Sequence, residues 1–285
     1  MNRLLAAAAG GLWCLALAVP PASATFFLVT PPVSERVATA EVVITGKVVG
    51  FAPKTVMVTP IAGVDRKEEY KVAIVRVTEN LVGSKGVKDI RVGFPARPAP
   101  RPMGLVVGNG GALPQVNLMR GQEVCLFLTK RKDADCYDAS TPGGVIDKKD
   151  RSYLKDLIEA RAAAKVLNNP RSSLKARLPQ DRFRAAAVLI QHYRHRRGTK
   201  TEPIDAEVSK LIMRALAENP WDLRRPTPGV SQVFSANPHM VIGTLGATEK
   251  DGWRPPVDFR QVTPAARKWF KDHATSFHIE KFVAD

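Results

Sequence analysis

The chain predicts an α+β protein, strands first and helices after, built as an OB-like antiparallel β-barrel followed by a small all-helical domain. Two observations carry this. Between residue 40 and about residue 130, valine and isoleucine gather in short runs bounded by glycine, proline or charged turns. From residue 150 onward the apolar residues recur instead at helical spacing.

The strand segments are AEVVITGKVVGF (40–51), TVMVTP (55–60), YKVAIVRVTENLVG (70–83), VKDIRVGFP (87–95) and GQEVCLFLTK (121–130). No helical pattern interrupts them, and closing a small sheet into a barrel removes the free edges that would otherwise invite pairing with another chain. Residues 97–115, RPAPRPMGLVVGNGGALPQ, form a long Pro/Gly-rich connection inside this half.

The helical half opens near Ser152, with Tyr153, Leu154, Leu157, Ile158 and Ala162 along one stripe. Pro179-Gln180-Asp181 opens a second helix carrying Phe183, Ala186, Ala187, Ile190 and Tyr193. Asp205 is the expected N-cap of a third, which runs through Val208, Leu211, Ile212, Ala215 and Leu216 until Pro220 stops it. Thr263-Pro264 starts a fourth, with Ala265, Trp269 and Phe270, and Asn237-Pro238 a short fifth. The expected division is a leader over 1–24, the barrel domain over 25–140, a linker over 141–151 and the helical domain over 152–285.

The leader is read from Arg3, an apolar stretch from Leu4 to Val19, the helix-breaking pair Pro20-Pro21, and Ala22-Ser23-Ala24 as a small-x-small cleavage pattern. That apolar stretch is shorter than the roughly 20 residues a membrane span requires, and no later segment reaches that length without a charge. The expectation is a signal peptide, cleavage near Thr25, and an extracytoplasmic mature chain without a transmembrane span, the alternative being an uncleaved N-terminal anchor. Cys14 lies inside the leader and goes with it. Cys125 and Cys136 remain, either as a candidate disulfide that would close a short loop or as two separate thiols, one on a barrel strand and one in a loop.

Four of the strand segments, ATAEVVITGKVV (38–49), EEYKVAIVRVTENLVG (68–83), VKDIRVGF (87–94) and MRGQEVCLFLTK (119–130), resemble the netrin-like module of the tissue inhibitors of metalloproteinases. Glu41 stands where that family usually has aspartate, and Asn80-Leu81-Val82-Gly83 replaces its lysine-glycine turn. The resemblance covers about residues 38–130 and implies a five-stranded OB-like barrel. Protease inhibition does not carry over. It rests on a cysteine at the mature N-terminus, and the expected start here is Thr25-Phe26-Phe27.

Charge bounds the partners. Lys+Arg number 43 against 27 Asp+Glu, net +16. The densest cluster, Arg194, His195, Arg196 and Arg197 with Lys200, ends the second helix of the helical half. It reads either as a solvated helix end favoured by the helix dipole or as a contact for an anionic polymer or lipid surface. Nucleic acid is disfavoured, because the aromatics Phe51, Tyr70, Phe94 and Phe127 are scattered rather than interleaved with basic residues on one strand. Asp251-Gly252-Trp253-Arg254 is a tight turn that makes Trp253 either a candidate anchor for a protein partner or, more often after such a turn, a side chain folded back to plug the domain it leaves.

Catalytic signatures are sparse. The histidines at 192, 195, 239, 273 and 278 lack carboxylates or cysteines at ligand spacing, and no H-E-x-x-H, G-x-S-x-G or phosphate loop occurs. No catalytic residue, metal ligand or cofactor is assigned. The functional expectation is an exported non-catalytic interaction protein, holding a protein or an anionic surface through its barrel or its basic helical face. One alternative is an extracytoplasmic hydrolase with a cleft between the two halves, where His239 or Asp251 would converge. Another is a purely structural two-domain protein.

Overall fold

Strands β1 (Val42–Phe51), β2 (Val56–Val58), β3 (Glu68–Val82), β4 (Asp89–Pro95) and β5 (Glu123–Lys130) arise from the five Val/Ile-rich segments. The computed structural model describes residues 30–59, 67–96, 116–221, 227, 229–231, 234 and 237–284. The expected signal peptide over 1–24 and the Pro/Gly-rich connection over 97–115 lie outside the described residues.

Two short strands complete the sheet, β6 (Tyr137–Asp138) and β7 (Val145–Asp147), the second inside the segment expected as a linker. The strand order is β1-β3-β4-β6-β5-β7, with β2 on β3 and a further antiparallel pairing of β1 with β5. The expected OB-like antiparallel barrel, and with it the fold implied by the netrin-like resemblance, is corrected by this topology. The seven strands make a mixed sheet in which β4 and β6 run parallel. The reason is one of direction. β1, β3 and β4 alternate, and β5 opposes β1, so β4 and β5 already run oppositely. A strand inserted between them must be parallel to one, and β6, turned back antiparallel on β5, is parallel to β4.

Both faces of the central strands are covered. Val42, Ile44 and Val48 of β1, with Val124, Leu126 and Leu128 of β5, enter a core made within the sheet. The alternate residues Val43, Cys125 and Phe127 enter a different core, shared with the helices. Both faces of these strands are therefore buried, which is why EVCLFL reads as a continuous apolar run and not as an alternation.

The helices are α1 (Val33–Thr39), α2 (Tyr153–Asn168), α3 (Pro170–Leu174), α4 (Pro179–Arg194), α5 (Ala206–Glu218), α6 (Pro238–Leu245) and α7 (Val262–Asp272). A two-stranded ribbon, β8 (Thr201–Pro203) with β9 (Glu280–Phe282), lies among them. The cap residues act as expected. The Asp205 carboxylate accepts from the Val208 amide, and the Asn237 side chain accepts from the amides of His239 and Met240. Helix α1 precedes every strand in the chain yet places Val33, Val37 and Ala38 in the helical core.

The seam between sheet and helices is fastened by polar contacts as well. Arg161 of α2 makes a bidentate pair with Glu79 of β3, its closest approach 2.7 Å, and Asn168 donates to the carbonyl of Leu81. Arg36 of α1 donates to the carbonyl of Gly143 and lies 4.8 Å from the centre of the Phe127 ring. Within the sheet, Arg131 reaches the largely buried Asp138 at 3.3 Å and the carbonyl of Thr59, tying the β2 end to β6. Among the described residues, no helix is long and apolar enough to cross a membrane.

Candidate functional site

At one end of the sheet the chain leaves β1 through Ala52, Pro53, Lys54 and Thr55, while residues 117–120 lead into β5. Together they enclose a cavity of about 550 Å³. That is within the roughly 300–1,000 Å³ usual for small-molecule sites. Its floor follows from strand register. Phe51 lies across from Ala73 and Lys71 directly across from Phe94, so neighbouring strands deliver an aromatic, a cation and a second aromatic to one place. The rings of Phe51 and Phe94 meet edge to face with centroids 6.3 Å apart. Phe94 is buried beneath, whereas Phe51 is 43% exposed. Leu118 is buried beside them and Met119 is 52% exposed.

Three cations line this cavity, Lys54, Lys71 and Arg120, and among the described residues its lining contains no carboxylate. All three are exposed and none forms an ion pair with a described residue. The side-chain hydroxyl of Thr55, also in the lining, donates to Glu69 at 2.9 Å. The arrangement offers apolar contact from Phe51, Phe94, Leu118 and Met119 together with positive charge from Lys54, Lys71 and Arg120. It contains no nucleophile paired with a base.

The residues singled out in the sequence lie elsewhere. The basic run at the end of α4 is drawn largely into the fold. Arg194 donates through Nε to the carbonyl of Thr244 at 2.9 Å and through a terminal nitrogen to Glu280, and its guanidinium sits over the Phe282 ring. Arg197 donates to the carbonyl of Ala40. His192 places Nδ1 2.8 Å from the carbonyl oxygen of Ala38, which only accepts, so Nδ1 carries the proton. Burial, with Arg197 nearby, holds the His192 pKa below that of a free histidine. His195, Arg196 and Lys200 remain exposed.

Trp253 is 5% exposed, with ring centroids 6.2 Å from Trp269 and 6.0 Å from His239. It plugs the helical core instead of presenting itself to a partner. Cys125 and Cys136 are buried free thiols and not a disulfide. Cys125 turns from β5 into the helix-side core, while the Cys136 sulfur packs over Gly93 of β4. Burial pushes the Cys125 thiol up to about 12, which leaves it un-ionised and inert as a nucleophile.

These placements correct the functional expectation. The antiparallel barrel is not formed, and two arginines of the expected basic face are spent on backbone carbonyls. Among the described residues, the sheet and the helices meet in a shared buried core. His239 and Asp251, expected to line a cleft between the two halves, instead pack against Trp253 and bond to Thr248.

No protein-family model matches the chain, and no curated protein matches it significantly. The cavity itself was not legible in advance. Lys54, Lys71 and Arg120 are isolated in sequence, and only the turn after β1 and the approach to β5 bring them together. In sequence Phe51 and Phe94 read as scattered aromatics, and their one shared signal is a position at or next to a strand end.

Proposed function

We propose that this protein binds a small amphipathic anion in the cavity at the end of the sheet. The observation that carries the reading is the lining itself, where, among the described residues, three cations with no ion-pair partner adjoin apolar side chains and no acidic side chain joins them. An anionic group held there gains charge-assisted hydrogen bonds, and its apolar remainder covers Phe51 and Met119, which are otherwise wet. The composition of residues 1–24 supports placing this binding outside the cytoplasm.

Titration with an anionic naphthalene sulfonate dye tests the reading. The expected result is saturable binding at one site with a rise in emission. Phe51→Glu or Met119→Glu, each at an exposed position, weakens it at least about tenfold by adding a like charge and removing apolar contact. Phe259→Glu, outside the cavity, leaves it unchanged. Binding insensitive to the two cavity variants would sink the proposal.

A further inference from the structure

The number and origin of the cations narrow the ligand further. Lys54 follows β1, Lys71 belongs to β3 and Arg120 precedes β5, so three separate segments supply positive charge to one cavity. Among the described residues, three other cavities each hold or adjoin a carboxylate that meets their cations. The one between α1, α2 and α4 sets Glu159 beside Lys155 and Arg184, and the one beside Met240 and Thr244 includes Glu35. In the one beside α3, Arg182 and Arg214 are both bonded to Glu218.

Three cations without an ion-pair partner among the described residues repel one another, and a single carboxylate with two oxygens and one charge leaves most of that repulsion in place. A phosphate monoester carries close to two negative charges near neutral pH and presents three terminal oxygens. It matches two lysine point charges and one arginine fork. The floor of Phe51, Phe94 and Met119 is too apolar to favour a free hydrated ion. Among the described lining residues the neutral polar side chains are Thr55, whose hydroxyl is already donating to Glu69, and Asn117, so a base edge has one amide to meet and the adenosine monophosphate titration decides that point.

We infer that the ligand is a phosphate monoester of an alkyl chain, its phosphate among Lys54, Lys71 and Arg120 and its chain along Phe51, Phe94 and Met119. This rests on the amphipathic-anion reading above.

Calorimetric titration of the full chain separates the alternatives, using decyl phosphate, decanoate, adenosine monophosphate and inorganic phosphate, with each amphiphile kept below its micellar concentration. At pH 7.5 decyl phosphate binds at least about tenfold tighter than decanoate. That advantage shrinks between pH 7 and pH 5 as the second phosphate ionisation, near pH 6, is lost. Lys71→Gln and Arg120→Gln each cut decyl phosphate affinity at least about fivefold and affect decanoate less, whereas Arg196→Gln affects neither. Decanoate binding as tightly as decyl phosphate overturns the phosphate assignment and leaves the amphipathic-anion reading standing. Adenosine monophosphate or inorganic phosphate binding as tightly as decyl phosphate overturns the alkyl chain. Failure of both decyl compounds and of the naphthalene dye overturns the parent reading itself.

Discussion

At Gly83 the backbone turns with φ +83°, and a Cβ there would collide with the carbonyl oxygen of Glu41. The strain and the clash act together, so Gly83→Ala is expected to cost at least about 2 kcal/mol. Urea denaturation checks this, and a cost under about 0.5 kcal/mol would show that the β3 turn can move aside. His192 gives a pH dependence of defined sign. Its pKa in the fold lies below the 6.5 of the free side chain, chiefly because it is buried. The unfolded chain therefore takes up a proton that the folded chain resists. The contribution is complete above pH 6.5 and is lost as pH falls through the folded pKa. Glu35, whose pKa burial raises, also titrates in acid, so the slope of the wild type alone does not isolate the histidine. The difference between wild type and His192→Gln does. The variant should lose less stability than wild type between pH 7.5 and pH 5, and parallel curves would remove His192 from the account. Neither residue was readable as special. Gly83 was one glycine after a strand, and His192 was one histidine within a basic run. What distinguishes them is the partner, Glu41 in one case and Ala38 in the other, each distant in the chain.

At the scale of the element, α4 shows how a surface feature of the sequence became an internal one. Its C-terminal positive charge suits the helix dipole. Its detailed use is to hold α6 and β9, through the carbonyls of Thr244 and Glu280 and the ring of Phe282. Arg194→Ala removes two donors and a cation stacked on a ring, and should destabilise by about 1–3 kcal/mol. Arg196→Ala, at an exposed site, should stay within about 0.5 kcal/mol. Thermal melts of the two variants distinguish a fastening from a solvated tail, and equal melting shifts would restore the solvated reading. Periodicity located the helices well because a buried stripe repeats along one element. It was less reliable for which side is wet. Leu154 and Ile158, placed on the buried stripe of α2, are 71% and 66% exposed, while Ala160 and Ala163 take the inner side. Alanines pack closely but carry little weight in an apolar pattern, so the larger residues drew the stripe to the wrong face. Helix α1 was missed for a related reason. VSERVAT is only two turns long, its apolar face has three small or branched residues, and it is held by the surface it packs on.

Across the whole molecule, the sheet and the helices share one core, in which Val43, Leu81, Cys125, Phe127 and Ile146 meet the residues of α1, α2 and α4. Removing either part would expose that surface, so both should unfold together. Fluorescence of Trp221, Trp253 and Trp269 reports on the helices, and amide exchange in β3 and β5 reports on the sheet. The two should give the same midpoint in denaturant. Strands that keep their protection after the tryptophan transition would show two independent units. The composition change near residue 150 separates kinds of secondary structure, and the larger of the two cores runs across it. The cavity at the end of the sheet is likewise a property of the assembly, because its three cations come from segments that touch only after β1, β3 and β5 have paired.

The amino-acid sequence by itself determined where the main strands and most helices lie, which residues cap α5 and α6, and the excess of positive charge. These depend on local sterics, on short-range periodicity and on composition, all written in consecutive residues. The tertiary structure alone decided that β4 and β6 run parallel, that both faces of β1 and β5 are buried, that Trp253 and Arg194 turn inward, and that Lys54, Lys71 and Arg120 share a cavity. Each of these depends on which distant segments meet, and that is settled by the packing free energy of the whole chain and not by any one stretch of it.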